Sequence, residues 1–221
     1  MEVIRLQGTA WLAYEDGHGI LIDTGLRADG GAILKRIKRV NVQVPLIFLT
    51  HTHYDHTGGV EALRSALGAK VLVGQCEAAC LRTGFTPVPR GVNAVTRFLS
   101  RQAHRAQSRM REHYTPVMQD IVETGETGTL EEFRFDAQYF HLGAHSAGST
   151  GLRFGEYFFA GDTVFGIGVG VYPPFADFMD EIPIAWQTII GSGAKYICPG
   201  HGRIIKTDTL KKEYVRRFGA I

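Results

Sequence analysis

The segment THTHYDHTGG, at positions 50–59, constrains this chain more than any other feature. It follows the apolar run PLIFLT, which is typical of a buried strand, so the segment falls in a loop at a strand end. In an extended chain alternate side chains point the same way, so His51 and His53 can bind one metal ion together. Asp55 and His56 follow after a turn that the two closing glycines allow.

Ligands from elsewhere in the chain must complete such a site, because two side chains are too few to hold an ion. His145 lies in the small-residue loop GAHSAGSTG, Asp162 follows the strand-like FFAG, and His201 lies in CPGHG. Imidazole and carboxylate groups suit zinc, iron or manganese. The predicted metal ligands are therefore His51, His53, Asp55, His56, His145, Asp162 and His201.

The order of predicted elements indicates an α/β fold. Both halves of the chain are rich in strand-like segments and end in helices, which implies sheets covered by helices. A doubly wound sheet is the competing topology. No linker or repeat divides the chain, so we expect a single domain over residues 1–221 with an insertion at about 84–126. Among the predicted strands of the second half are TLEEFRFD, AQYFHL, TGLRFG and EYFFAGD.

The middle of the insertion, NAVTRFLSRQAHRAQSRMREHY, predicts a helix that could fold over the site as a lid. Apolar residues share one face of this helix, and arginines at four-residue spacing share another. The arginine face is either a solvated surface or a recognition site for an anionic substrate. The apolar set is Val95, Phe98, Leu99, Ala103, Ala106 and Met110; the arginines are Arg97, Arg101, Arg105 and Arg109.

Composition excludes several classes of protein. The formal net charge is +2, which favours neither a dedicated nucleic-acid binder nor an acidic disordered chain. No segment reaches the roughly 18 apolar residues of a membrane span, and the N-terminus does not read as a secretory signal. The three cysteines form no paired framework. We therefore expect a cytoplasmic protein without a membrane segment, and its oligomeric state stays open.

The motif T-H-x-H-x-D-H-x-G-G, followed in order by the three distant ligands, resembles the metallo-β-lactamase superfamily. IDTG at 22–25 and FFAGDTVF extend the resemblance, most closely to its glyoxalase II-like hydrolase branch. The resemblance implies a four-layer αβ/βα sandwich and two divalent metal ions, with zinc the leading expectation and iron or manganese the alternatives. It assigns His51, His53 and His145 to the first ion, Asp55, His56 and His201 to the second, and Asp162 as the bridge.

The resemblance also implies a hydrolase that cleaves a small ester, thioester or lactone through a hydroxide shared by the two ions. Asp55 is the expected catalytic residue, and Asp23 is expected either to hold a metal-bound histidine or to organise a turn. Three other functions stay open. They are a phosphodiesterase or nuclease that uses the arginine face, a mononuclear iron enzyme similar to the persulfide dioxygenases, and a metal-dependent binding module without turnover.

Two features depart from the glyoxalase II pattern. Residues 202–221 are all that follow His201, whereas that enzyme carries a C-terminal helical domain that helps to bind glutathione. Val171 stands where the branch often has an arginine. We therefore expect a small-molecule substrate, anionic in one interpretation, that differs from hydroxyacylglutathione. A nucleic-acid partner is the less favoured alternative.

Overall fold

The computed structural model describes residues 1–107, 113–168 and 170–220. The chain forms two compact units, each built on one six-stranded mixed sheet. Unit 1 comprises Met1–Val88 and Arg105–Thr124, and unit 2 comprises Pro89–His104 and Gly125–Ile221. Within the described ranges, no helix combines the length and the apolar character needed to cross a membrane.

The sheet of unit 1 follows the order of the chain, β1 to β6. Its first three strands are antiparallel, and each later pair is parallel. Helices between strands make the parallel pairing possible, because a parallel crossover needs a long connection. The strands are β1 (Glu2–Arg5), β2 (Trp11–Glu15), β3 (His18–Ile22), β4 (Gln43–Phe48), β5 (Lys70–Gly74) and β6 (Ile121–Glu123). The helices are α1 (Gly30–Val40), α2 (Tyr54–Thr57), α3 (Val60–Leu67) and α4 (Ala78–Thr83).

The register of β3 and β4 determines where the predicted ligands leave unit 1. Ile22 pairs with Phe48 at the carboxyl ends of these two parallel strands. Asp23 and Thr50 follow, so both lie at the same edge of the sheet. Helix α1 covers the sheet through buried Ile33 and Ile37, which belong to the same hydrophobic core as the strands. The hydrophobic core of unit 1 therefore supports the loop that carries the motif.

The sheet of unit 2 runs in the order β12-β11-β10-β9-β8-β7. Its single parallel pair is β10 with β11, and Gly161 pairs with Pro199 at their carboxyl ends. Asp162 and His201 follow these strands and leave the sheet at one edge. The strands are β7 (Thr127–Thr129), β8 (Ala137–His141), β9 (Thr150–Phe154), β10 (Tyr157–Gly161), β11 (Tyr196–Pro199) and β12 (Ile205–Lys206). Helices α6 (Ile182–Gly191) and α7 (Thr207–Phe218) complete its core around buried Trp186.

The helix predicted in the insertion is present as α5 (Ala94–Gln107), but its apolar face points to solvent. Val95, Phe98 and Leu99 are 69%, 59% and 52% exposed. The buried positions of α5 are polar, Ser100 and Gln107, and the hydroxyl of Ser100 donates to the carbonyl of Pro89 at 2.8 Å. Hydrophobic spacing thus located the helix without identifying the side that packs. Arg109 and Met110, which the sequence placed on this helix, lie outside the described residues.

Two segments differ from the sequence prediction. The prediction of a strand at TLEEFRFD is wrong, because β7 ends at Thr129 and Glu131–Phe133 forms a 3-10 helix. Arg134 then adopts a left-handed conformation with φ 62°, which breaks any extended pairing. The second segment is Ile121–Glu123, near the end of the predicted insertion at 84–126, which forms β6 and pairs in parallel with β5; the sequence did not predict this strand. A strand of three residues is too short to show a hydrophobic period. The single domain with one insertion stays a prediction.

Candidate metal centre

Four predicted ligands lie in unit 1, in the loop after β4 and in the short helix α2. The rings of His51 and His53 stand edge to face with centroids 4.6 Å apart, and those of His51 and His56 are 4.0 Å apart. The ligand atoms of Asp55 and His56 lie within 4.8 Å of each other, as do those of His51 and His53. All three histidines are buried. The motif therefore brings its own donors together, as the sequence predicted.

Close approach of the backbone explains the glycines that end the motif. A Cβ atom at Gly58 would lie 2.4 Å from the amide nitrogen of Arg27, and one at Gly59 would lie 2.7 Å from the carbonyl oxygen of Thr24. Thr24 in turn donates to the carbonyl of His56 from its amide nitrogen, at 2.7 Å, and from its hydroxyl, at 2.8 Å. Only residues without a side chain fit here, so the ligand loop is fixed against the loop after β3.

Asp23 holds both ends of the ligand segment. One carboxylate oxygen accepts a hydrogen bond from the amide of Thr50 at 2.8 Å, and the other accepts from the Thr50 hydroxyl at 2.8 Å. The second oxygen also lies 2.7 Å from Nδ1 of His56. Of the two roles that the sequence left open for Asp23, the contact with a histidine is present in unit 1, and the remaining hydrogen bonds of the carboxylate join Thr50, 27 positions away, instead of the turn at residues 22–25. A histidine held at Nδ1 would bind a metal through Nε2.

Glu77 is a positioning residue that sequence reasoning missed. Its carboxylate is buried, and it accepts hydrogen bonds from the amide of Thr52 at 3.0 Å and from the Thr52 hydroxyl. Thr52 stands between His51 and His53, so Glu77 fixes the peptide that carries both. The only signal in the sequence is an acid beside the apolar residues of QCEAACLR, and acids at such places are usually solvated.

A second buried contact extends this network. The hydroxyl of Thr86 donates to the carbonyl of Thr52 at 2.6 Å and lies 2.9 Å from the hydroxyl of Tyr114. Burial raises the pKa of Tyr114 to about 12. The phenol therefore stays protonated throughout the physiological range. The backbone of the ligand loop is thus held by neutral hydroxyl groups in addition to the two carboxylates.

The three remaining ligands lie in unit 2. Nδ1 of His145 is 2.9 Å from the carbonyl oxygen of Phe175, and because a carbonyl can only accept, this nitrogen donates and Nε2 would bind a metal. Oδ2 of Asp162 lies 3.9 Å from Nε2 of His145 and 3.4 Å from Nε2 of His201. The imidazole of His201 stacks on Phe165 with ring centroids 5.3 Å apart. One carboxylate oxygen therefore stands between two imidazole nitrogens.

The donors in each unit fit a divalent metal ion. They are imidazole nitrogens and carboxylate oxygens, which are ligands that zinc, iron and manganese accept. Oxygen atoms engage Nδ1 of both His56 and His145, an arrangement that commonly orients metal-binding histidines. The His and Asp groups of this chain could therefore hold metal. Buried hydrogen bonds fix the loops that carry His56 and His145.

Comparison with solved structures identifies the class of fold. The chain is similar to the crystal structure of the BLEG-1 B3 metallo-beta-lactamase, with a TM-score of 0.72 and 22% sequence identity over 96% of each chain. This likeness shows the fold, and it confirms the predicted α/β metallo-β-lactamase sandwich. The model of the metallo-beta-lactamase superfamily matches residues 3–201. The chain belongs to this superfamily.

Two curated relatives illustrate the range of similarity. A hydroxyacylglutathione hydrolase from Albidiferax ferrireducens is 39% identical over 61 residues, which are 28% of this chain and 23% of the relative. The beta-lactamase-like protein 2 homolog of Drosophila melanogaster is 26% identical, and the match covers 96% of this chain and 64% of that protein. The chain thus spans less than two thirds of the length of each of these relatives.

Proposed function

We propose that the ligand sets of the two units form one dinuclear metal centre, and that the protein is a metal-dependent hydrolase of a small ester, thioester or lactone. Membership of the superfamily and the matching order of the ligands support this proposal. In it, His51, His53 and His145 would hold one ion, Asp55, His56 and His201 would hold the other, and Asp162 would contribute to both. Zinc is the proposed metal.

The position of Asp162 carries the proposal. The same oxygen of this carboxylate is near Nε2 of His145, assigned to the first ion, and near Nε2 of His201, assigned to the second. A carboxylate so placed is suited to two cations, since it neutralises part of the charge of both. Asp55, His56 and His201 form a further set of ligands. A mononuclear iron enzyme would not need them, so their presence favours the dinuclear proposal.

When bound, the ions supply Lewis-acid activation of water and of the substrate's carbonyl oxygen. The contributions of the chain itself are orientation and proton transfer. Asp23 and the carbonyl of Phe175 fix the rings of His56 and His145. Asp55 is the proposed catalytic residue, because a carboxylate beside the reacting water could orient it and carry its proton.

The substrate class rests on the relatives. Several of them are named hydroxyacylglutathione hydrolases, whose substrate is a thioester, and the matches are mostly partial. A small thioester or a related acyl compound is therefore the proposed substrate. The cytoplasm is the proposed compartment, because a reducing environment suits cysteines that form no paired framework.

An activity panel tests the proposal. Metal-loaded protein is assayed with a thioester, a lactone, a β-lactam and bis(p-nitrophenyl) phosphate, beside the variants His56→Ala and His201→Ala. Hydrolysis of an acyl substrate that both variants lose is the expected result, while the exposed-histidine control His18→Ala retains activity. Selective cleavage of the phosphodiester would support a phosphodiesterase instead. Full activity in both variants would refute the dinuclear hydrolase.

A further inference from the structure

Unit 2 contains a cavity of about 400 Å³ that is lined by cationic side chains. Arg90, Arg97 and Arg101 contribute to its walls, together with His104 and the backbone at Gly91. Helix α5 contributes Arg97, Arg101 and His104. The four-residue spacing of the arginines therefore brings Arg97 and Arg101 to the same cavity. A volume of this size falls within the range of small-molecule sites, which is roughly 300–1,000 Å³.

The arginines of the cavity are not engaged by carboxylates in ion pairs among the described residues. Across the described ranges 1–107, 113–168 and 170–220, no carboxylate forms an ion pair with the guanidinium groups of Arg90, Arg97 or Arg101. The carboxylate of Asp177 is close, but it accepts from the backbone amide of Arg90 at 2.9 Å. Arg97 donates from Nε to the carbonyl of Gly91 at 3.3 Å, which anchors its guanidinium at the cavity edge. Three guanidinium groups without a carboxylate ion pair therefore line this cavity.

A short backbone path joins this cavity to the metal ligand His145. Gly91, at the cavity edge, forms a β-bridge with Phe175, and the carbonyl of Phe175 accepts the hydrogen bond from Nδ1 of His145. The amide of Asp177 donates to the carbonyl of His145 at 3.0 Å, and the amide of Ala176 donates to that of Arg90 at 2.8 Å. Residues 175–177 thus contact the predicted metal ligand His145 and also the backbone at residues 90–91, which borders the cavity.

We propose that this cavity, termed the arginine cleft (Arg90, Arg97, Arg101 and His104), binds a phosphate group of a small-molecule substrate. The proposal rests on the proposed hydrolase function and names its substrate class: an acyl ester or thioester that carries phosphate away from the bond that is cleaved. Water adds to the acyl carbon and the acyl C–S or C–O bond breaks, so the products are a carboxylic acid and a thiol or alcohol; the thiol or alcohol takes a proton from the water, and the phosphate stays unchanged on one of the two products.

The chemistry of the cleft favours phosphate over a simple carboxylate. One guanidinium fork satisfies both oxygens of a carboxylate, so a single arginine is enough for that group. Three guanidinium groups match the higher charge and the larger number of acceptor oxygens of a phosphate monoester or a diphosphate. A cavity of about 400 Å³ also suits one phosphorylated moiety better than the continuous backbone of a polymer.

Arginine-specific labelling tests the cleft without any assay of activity. Metal-loaded protein is treated with phenylglyoxal in the presence and absence of inorganic phosphate, and the modification of each arginine is measured by mass spectrometry. Phosphate is expected to abolish labelling of Arg97 and Arg101 and to leave exposed Arg82 unchanged. Equal labelling of Arg97 and Arg101 with and without phosphate overturns the proposal. Protection by a single-stranded oligonucleotide at lower concentrations than phosphate overturns it in favour of a nucleic-acid site.

A matched pair of substrates tests the link to catalysis. S-acetyl-4′-phosphopantetheine and S-acetylpantetheine differ only in one phosphate. The KM for the phosphorylated thioester should be lower by about tenfold, since a charge-assisted hydrogen bond contributes about that factor to binding. Arg97→Gln/Arg101→Gln should remove the difference without changing the metal content, whereas the control Arg82→Gln/Lys212→Gln, with two other exposed cations removed, should keep it.

The outcomes separate the two proposals. If phosphate protects the arginines and no acyl substrate is cleaved, the cleft stands and the hydrolase fails. If both thioesters are cleaved with equal KM, and the double variant behaves like the wild type, the hydrolase stands and the phosphate site is overturned.

Discussion

Oδ2 of Asp23 lies 2.7 Å from Nδ1 of His56, and the two residues are 33 positions apart in the chain. Asp23 follows β3, and His56 lies in α2 after β4, so the contact ties together two neighbouring strand ends. The carboxylate also holds Thr50, immediately before the first ligand. One buried acid therefore positions both ends of the ligand segment.

Replacing the charge of this acid should weaken metal binding. Asp23→Asn keeps the size of the side chain but removes the carboxylate that orients His56. We expect the affinity for zinc to fall by about 10–100-fold, as is usual for partners of ligating histidines. Competition against a chromophoric chelator measures the change, and far-ultraviolet circular dichroism checks that the fold persists.

Asp16→Asn is the matched control. Both aspartates have positive φ angles, 49° for Asp16 and 57° for Asp23, and asparagine tolerates this conformation. Backbone strain therefore affects the two variants alike, while only one of them touches a ligand. Equal zinc affinity in the two variants would show that the Asp23–His56 contact does not position the metal ligand.

Glu77 offers a second test of the ligand loop. Glu77→Ala leaves the amide and hydroxyl of Thr52 without their carboxylate acceptor. We expect a loss of about 1–3 kcal/mol in the free energy of unfolding, the usual cost of a buried unsatisfied group, together with weaker zinc binding. Urea unfolding and chelator competition measure the two effects. Glu77→Gln should recover part of both, and exposed Glu61→Ala should change neither; an Ala variant as stable as the wild type would contradict the role.

The exposed face of α5 makes a contrasting prediction about stability. Phe98 is 59% exposed, so Phe98→Ser should change the free energy of unfolding by no more than about 0.5 kcal/mol. Phe158 is fully buried in the core of unit 2, and Phe158→Ala should cost about 3–5 kcal/mol. Urea unfolding of the two variants gives the comparison. A cost above 2 kcal/mol for Phe98→Ser, well beyond the roughly 0.5 kcal/mol of an ordinary surface change, would mean that this face is packed.

Glu213 should stabilise α7 through ion pairs that are lost at acid pH. The hydrogen bond from Arg216, with a further one from Arg217, lowers the pKa of Glu213 from 4.5 to about 2. A lowered pKa in the folded state stabilises the protein above pH 4.5, and this contribution disappears as the pH falls from about 4.5 towards 2. Glu213→Gln should therefore be less stable at pH 7 by up to about 1 kcal/mol, the value of a surface pair. Urea midpoints at pH 7, 5, 4 and 3 should converge for the two proteins; a difference that is constant with pH would contradict the ion pairs.

The motif and the strands around it were predictable because their signals are local. The run PLIFLT, the glycines after His56 and the small residues around His145 each mark a strand end or a tight turn within a few positions. Helices α1 and α7 were predictable for the same reason, since their hydrophobic period extends over ten or more residues. The ligands of each unit follow from these elements.

The features that sequence reasoning missed depend on tertiary contacts. Nothing in QCEAACLR shows that Glu77 reaches Thr52, because the contact joins residues 25 positions apart. Strand β6 is recognisable only from its pairing with β5. The face of α5 that packs is set by Ser100 and its bond to Pro89, against the hydrophobic pattern of the helix. Local sequence patterns therefore predicted the secondary-structure elements and the metal ligands. The tertiary contacts that position them join residues far apart in the chain and were not predictable in this way.

Metal content tests whether the ligands of both units form a dinuclear centre. The wild type and His201→Ala are loaded with excess zinc, freed of unbound metal by gel filtration, and analysed by inductively coupled plasma mass spectrometry. We expect two zinc ions per chain in the wild type and one in the variant, with the fold retained in both. One ion per chain in fully loaded wild-type protein, unchanged by His201→Ala, would contradict it.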